Sequence, residues 1–177
     1  IVEVLSGLEA LQTLTLQDAL DSLVWAKSLA PLTHLRTLTL QCCDALMDLN
    51  GLKALTALES LTLAGCEAVM SVPDLSKLTG LRALTLSRCA ELRSIHKLGR
   101  LKQLETLTLE SCGRIVDLSA LGGLHQLHTL MLDCPSRMRR LPGPAILSGL
   151  HNLRDLTLQG FNTLKNLQHL TGLQALT

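Results

Sequence analysis

A chain of 177 residues with 47% hydrophobic content has enough apolar material for one domain, and a formal net charge of +1 gives no reason to expect a polyanionic partner. Aromatic residues make up 1% of it, with no Tyr and a single Phe and Trp, which excludes a core built on large interlocking rings and points to a repeated core of small modules. Polar residues interrupt the leucines every two or three positions, so no apolar run is long enough to span a bilayer, and no basic stretch followed by an apolar one marks an export signal near Ile1.

Taken from the start, Val2, Leu5 and Leu8 read as the tail of an earlier unit occupying 1–10, and Leu11 opens the first of seven full units that run to Ala175. The next begins Leu35-Arg-Thr-Leu38-Thr-Leu40-Gln-Cys-Cys43, followed by Leu58-Glu-Ser-Leu61-Thr-Leu63-Ala-Gly-Cys66 and Leu81-Arg-Ala-Leu84-Thr-Leu86-Ser-Arg-Cys89. Leu104 to Cys112 repeats the pattern, while the units opening at Leu11, Leu127 and Leu153 carry Ala19, Pro135 and Phe161 in place of the cysteine. Leu176 opens a further unit, and neither end carries a polar capping repeat, so 1–177 is expected to be one solenoid segment of a longer protein.

The front of each unit alternates with period two among β-branched and polar residues, which predicts a short strand. Behind it the apolar residues recur at every third position, as in Leu46, Leu49, Leu52 and Leu55 and again in Val69, Val72, Leu75 and Leu78. A period of three suits neither an ideal α-helix nor a strand, and predicts 3-10 turns or extended stretches that carry the chain to the next strand. Five units have 23 residues, the first has 24 and the one from Leu127 has 26, its extra residues falling around Pro142-Gly143-Pro144, which predicts a bulge on the convex or lateral side.

This template, LxxLxLxxCxxLxxLxxLxxLxx, resembles the leucine-rich-repeat family in its cysteine-bearing form of about 23 to 24 residues per unit, over nearly the whole chain. The stretch Val72-Pro73-Asp74-Leu75-Ser76-Lys77-Leu78-Thr79-Gly80-Leu81 is similar to the back half of repeats from plant intracellular receptors, and Asp117-Leu118-Ser119-Ala120-Leu121 to short repeats of bacterial and protozoan proteins. The resemblance implies an α/β fold: a curved right-handed solenoid with one parallel sheet on its concave side and short 3-10 or irregular turns on its convex side. It also implies that the two strand leucines and the residue at the cysteine position point inward. The family usually places Asn at that last position, where its amide bridges successive turns. With Cys43, Cys66, Cys89 and Cys112 there instead, and a thiol being a weak donor, the ladder is expected to lean on dispersion and burial. Side chains stacked in parallel point the same way, which argues against disulfides and for a reducing, intracellular and cytoplasmic setting.

Residues alternating with the buried leucines face outward on the strands. The central row is Thr15, Thr39, Thr62, Thr85, Thr108, Met131 and Thr157, and the row after it is Gln17, Gln41, Ala64, Ser87, Glu110, Asp133 and Gln159. The row before it runs Thr13, Thr37, Ser60, Ala83, Thr106, Thr129 and Asp155. At the strand starts lies a rim of Gln12, Arg36, Glu59, Arg82, Glu105, His128 and Arg154. Threonine suits an exposed pleated surface, and opposite charges on neighbouring strands neutralise each other, so both patterns have purely structural explanations. The functional alternative assigns partner contact to Arg36, Thr39, Gln41, Glu59, Thr62, Arg82, Thr85, Arg88, Glu105, Thr108, Glu110, His128, Met131, Asp133, Arg154 and Gln159, with Arg82 and Arg88 as first anchors. A flat threonine array of the ice-binding kind is a weaker alternative, broken by Ser60, Ala83, Met131 and Asp155.

Ser136-Arg137-Met138-Arg139-Arg140 is the one dense basic cluster, and a solvated loop accounts for it; nucleic acid would want a wider basic face and aromatic platforms. His125, His128 and His151 lack a placed carboxylate or thiolate, so no metal and no other cofactor is expected. A phosphate-binding loop, GxSxG, HExxH and a CxxC pair are all missing, and the expectation is a non-catalytic module that recognises a protein on the concave sheet. A structural subunit of a large assembly is the rival reading. It would need exposed apolar residues elsewhere, for which Val24, Trp25, Ile146 and Leu147 are candidates. Oligomeric state is left open.

Overall fold

The computed structural model describes residues 7–18, 29–133, 147 and 149–161. Seven five-residue strands form one parallel sheet in sequence order: β1 Thr13–Gln17, β2 Thr37–Gln41, β3 Ser60–Ala64, β4 Ala83–Ser87, β5 Thr106–Glu110, β6 Thr129–Asp133 and β7 Asp155–Gln159. Sequence-equivalent residues face each other at every step, so Leu38 pairs with Leu61, Leu61 with Leu84, and Leu84 with Leu107. A one-residue slip would turn every strand leucine to solvent, and this is what fixes the register.

In β2 to β6 the leucines are buried and the residues between them half-buried, whereas in the outer strands β1 and β7 the leucines are themselves only partly covered. The core is the stack of strand leucines, the cysteines and the period-three residues behind them: Leu46, Leu49, Leu52 and Leu55 of one unit, Val69, Val72, Leu75 and Leu78 of the next. Each fully buried leucine contributes about 1.5–3 kcal/mol relative to exposure. No polar or charged side chain is buried among the described residues.

The crossovers follow two courses. In three units the chain makes a 3-10 helix, Asn50–Ala54, His96–Arg100 and Ser119–Gly123, each burying one leucine. The unit from Leu58 instead stays extended, with a bridge from Ser71 to Ser94 and the Val72 N–H donating to the Ser94 carbonyl. Pro73 explains the difference, because proline drives the residue before it away from helical geometry. Where 3-10 helices are neighbours they touch through glycine: a Cβ on Gly123 would lie 2.6 Å from the Gly99 carbonyl oxygen, and one on Gly99 2.8 Å from that of Ala120.

One expectation is corrected. Leu147 is fully buried in the core, so it offers no surface contact; the large apolar side chains that stand out among the described residues are Leu8 and, at one repeat position behind the sheet, Met47, Met70 and Val116. The thiols of Cys66, Cys89 and Cys112 also do more than fill space. Each reaches the strand carbonyl of the preceding unit, Leu40, Leu63 or Leu86, at 3.7, 3.8 and 3.4 Å. Sulfur is large enough to meet those carbonyls from the position an amide would occupy. Val24, Trp25, Ile146, the 136–140 cluster and the Pro142–Pro144 insertion lie outside the described residues.

Candidate functional site

The outward face of the sheet is assembled from side chains that share a row because their strands share a register. Thr39, Thr62, Thr85, Thr108 and Met131 follow one another through direct pairing, as do Gln41, Ala64, Ser87, Glu110 and Asp133, and all ten are half-buried by their neighbours. Gln159 continues the second row from the outer strand and is exposed. The face is therefore shallow and polar, with its threonine run interrupted at Met131 before Thr157.

Its two edges differ. At the strand starts Arg36 is ion-paired with Glu59, and Arg82 with Glu105 at 2.5 Å. The rim charges thus neutralise each other two by two, and as exposed pairs each is worth a few tenths of a kcal/mol to about 1 kcal/mol. His128 and Arg154 complete this edge; their backbones are joined, the Arg154 N–H donating to the His128 carbonyl at 2.8 Å.

At the strand ends the chain turns through the left-handed region. Asp18, Cys42, Arg88 and Ser111 have φ near +50°, and Gly65 and Gly160 occupy the same repeat position at +66° and +79°. The reason is a shared hydrogen bond: the N–H of Asp18, Cys42, Gly65, Arg88 and Ser111 donates to the last strand residue of the next unit, at 2.8 to 3.2 Å. That bond extends the ladder one step and then turns the chain toward the core. Around these turns lies an open groove of about 470 Å³, lined by Gln41, Cys42, Asp44, Ala64, Gly65, Glu67, Ser87, Arg88 and Glu110. Of the residues expected at the site it gathers Gln41, Arg88 and Glu110, while Asp133 lies outside its lining and accepts a hydrogen bond from the Ser111 hydroxyl at 3.2 Å. Sequence reasoning missed the groove and the turn that makes it; the recurrence of glycine at 65 and 160 was the available signal.

Cys42, Cys66, Cys89 and Cys112 are free thiols. Burial pushes the Cys66 thiol up to about 11, and the neighbouring Cys112 thiol together with burial raises Cys89 as well. These thiols stay protonated near neutrality and are poor nucleophiles, which leaves Cys42, exposed at the groove, as the accessible one. Away from the sheet, the Ser76 hydroxyl and N–H hold Asp74 down at about 2, with Arg100 adding to the effect. The Ser119 N–H and hydroxyl lower Asp117 in the same way. These carboxylates cap turns.

Among the described residues no three His, Cys, Asp or Glu side chains are placed to hold a metal ion; His125 instead meets the Gly149 carbonyl at 3.3 Å. No described helix is long and apolar enough to cross a membrane.

No protein-family model matches the sequence, and no curated protein matches it. Solved structures do. The leucine-rich repeat domain of the type III effector XopL superposes with a TM-score of 0.72 at 26% identity, over 90% of this chain and 56% of that one. This chain is a leucine-rich-repeat solenoid. Internalin C2 of Listeria monocytogenes superposes on 97% of the solenoid with a TM-score of 0.70 at 21% identity, 71% of its own chain being covered. A leucine-rich-repeat protein of Leptospira interrogans does so over 97% with a TM-score of 0.60 at 18% identity. The solenoid spans about half the length of that last structure, 49%, and 48% of a further Listeria internalin.

Proposed function

We propose that this solenoid is a non-catalytic recognition module that holds a protein partner on the outward face of its sheet, as the sensor or adaptor region of a larger intracellular protein. The observation that carries this reading is the in-register face of β2 to β6, where small polar side chains lie in straight rows on a backbone that every neighbouring strand holds in place. Such a surface is ordered before binding, so association does not have to freeze loops, and many shallow contacts can add up.

The test is capture by the full chain set against a variant whose sheet centre is blocked, Thr62→Tyr, Thr85→Tyr and Thr108→Tyr. Tyrosine keeps strand propensity while adding bulk. Specific capture by the parent and its loss in the variant, with matching circular dichroism, supports the sheet as the binding face; equal capture by both refutes it. The second reading, a structural subunit of an assembly, draws on the exposed row of Met47, Met70 and Val116. It predicts loss of capture with Met47→Lys, Met70→Lys and Val116→Lys instead.

A further inference from the structure

We propose that the carboxyl edge of the sheet, over β2 to β5, is a docking groove for a basic polypeptide segment. This deepens the recognition reading and rests on it. The argument starts from the contrast between the edges. At the strand starts Glu59 and Glu105 are each taken up by an arginine of the neighbouring unit, so an incoming cation would have to displace an existing pair. At the strand ends Asp44, Glu67 and Glu110 line one groove and form no ion pair with any described residue. A cation arriving there meets uncompensated negative charge.

The shape of the groove points to a polypeptide rather than a small cation. Ala64, Gly65 and Ser87 are among its lining residues, and their small side chains leave room for another chain to lie close against the backbone. Arg88 stands among the carboxylates and is also unpaired among the described residues, leaving the groove with three acids against one base. A metal ion or a polyamine brings positive charge alone and leaves the Arg88 guanidinium without an acceptor. A polypeptide brings lysine or arginine side chains for the acids and, between them, backbone carbonyls that a guanidinium can bind. The turn residues that build the groove hold their left-handed geometry through hydrogen bonds to the next strand, so the site is formed before anything enters it.

The probes are two fluorescent peptides of equal length, one repeating Lys-Ser-Gly and the other Glu-Ser-Gly, titrated against the full chain by fluorescence polarisation. The basic peptide is expected to bind saturably and the acidic one not. Binding should weaken about ten-fold in Asp44→Asn, Glu67→Gln, Glu110→Gln, the combined effect of three surface charge pairs. It should change less than about two-fold in Glu59→Gln, Glu105→Gln, Asp155→Asn, which removes the same charge from the other edge. Carbodiimide coupling of the basic peptide to the unaltered chain, read by mass spectrometry, should place the link on Asp44, Glu67 or Glu110; this arm needs no variant to fold. Absence of saturable binding below about 1 mM, equal losses from the two edges, links that fall elsewhere, or displacement of the peptide by spermine at equal charge would each overturn the proposal. If partner capture is still abolished by the blocked sheet centre, recognition by the sheet survives and the groove alone is rejected.

Discussion

The strand half and the crossover half of each unit bury the same kind of residue by different means. Strands β1 to β7 repeat one geometry seven times, β2 to β6 held by pairing with units on either side, and the residues pointing outward vary from threonine to aspartate without altering the register. The crossovers share no such ladder. They close as 3-10 helices in three described units and run extended in the one that carries Pro73, and what they require is close approach between neighbouring backbones. Long-range pairing tolerates substitution on its solvent side, whereas backbone-to-backbone packing does not, and each prediction below tests one side of that contrast.

The largest effect is expected inside the strands. Leu84→Ala, at a fully buried position of the central strand, should lower unfolding free energy by about 2–5 kcal/mol in a urea titration. Thr85→Ala beside it should shift stability by about 0.5 kcal/mol or less. A comparable response from the two would break the picture of an inward core and a tolerant outward face.

In the crossovers the sensitive residue is a glycine. Gly123→Ala sets a methyl group against the Gly99 carbonyl at 2.6 Å and should cost about 1–3 kcal/mol, while Gly80→Ala, whose nearest contact would be the Leu58 carbonyl at 3.6 Å, should cost less than that. Thermal unfolding of the pair decides it; equal melting temperatures would mean the crossovers are as forgiving as the outward face.

The cysteine row lies where the two halves meet, and pH probes it. The folded state holds Cys66 protonated up to about 11 against 9.0 for a free thiol, so this contribution is complete below pH 9 and is lost as pH rises through 11. About 1 kcal/mol should be gone by pH 10. Cys66→Ala should flatten that alkaline limb in denaturant titrations taken from pH 8 to 10; an unchanged limb would place the titrating group elsewhere.

The smallest effect is a gain. Cys42→Gly and Ser111→Gly relieve left-handed backbone at φ near +50° and should each stabilise by about 0.5–1 kcal/mol, whereas Gly65→Ala should cost a similar amount. Chemical denaturation of the three variants gives the signs, and a loss on introducing glycine would show that the turns are not strained.

The strand half was legible because its signal is local: Leu-x-Leu among polar and β-branched residues fixes which side is buried, and a constant spacing fixes the register. The alternating rim was legible too, although Glu59 lies between Arg36 and Arg82 and only the folded rim shows that it takes the former. The carboxyl-edge groove was not, because the turn that makes it accepts Asp18, Cys42, Arg88 and Ser111 as well as glycine, so the sequence signature is diluted by residues that adopt the same backbone under tertiary constraint. Nor could spacing reveal the contact of Gly123 with Gly99, since two glycines 24 residues apart become neighbours only once the units stack. The partners of the thiols were hidden for a related reason. Their acceptors are carbonyls of the unit before, brought within reach by the 23-residue step.

Because every strand pairs with its neighbour at the equivalent residue, any point on the sheet has an address made of two integers, the unit and the place within it. Excising 58–80 would therefore bring β2 against β4 with Thr37 opposite Ala83 and Gln41 opposite Ser87, leaving each inward leucine on an inward leucine. A gene for such a chain can lengthen, shorten or shuffle its surface by recombination at any unit boundary, composing new charge patterns column by column while the interior grammar stays the same.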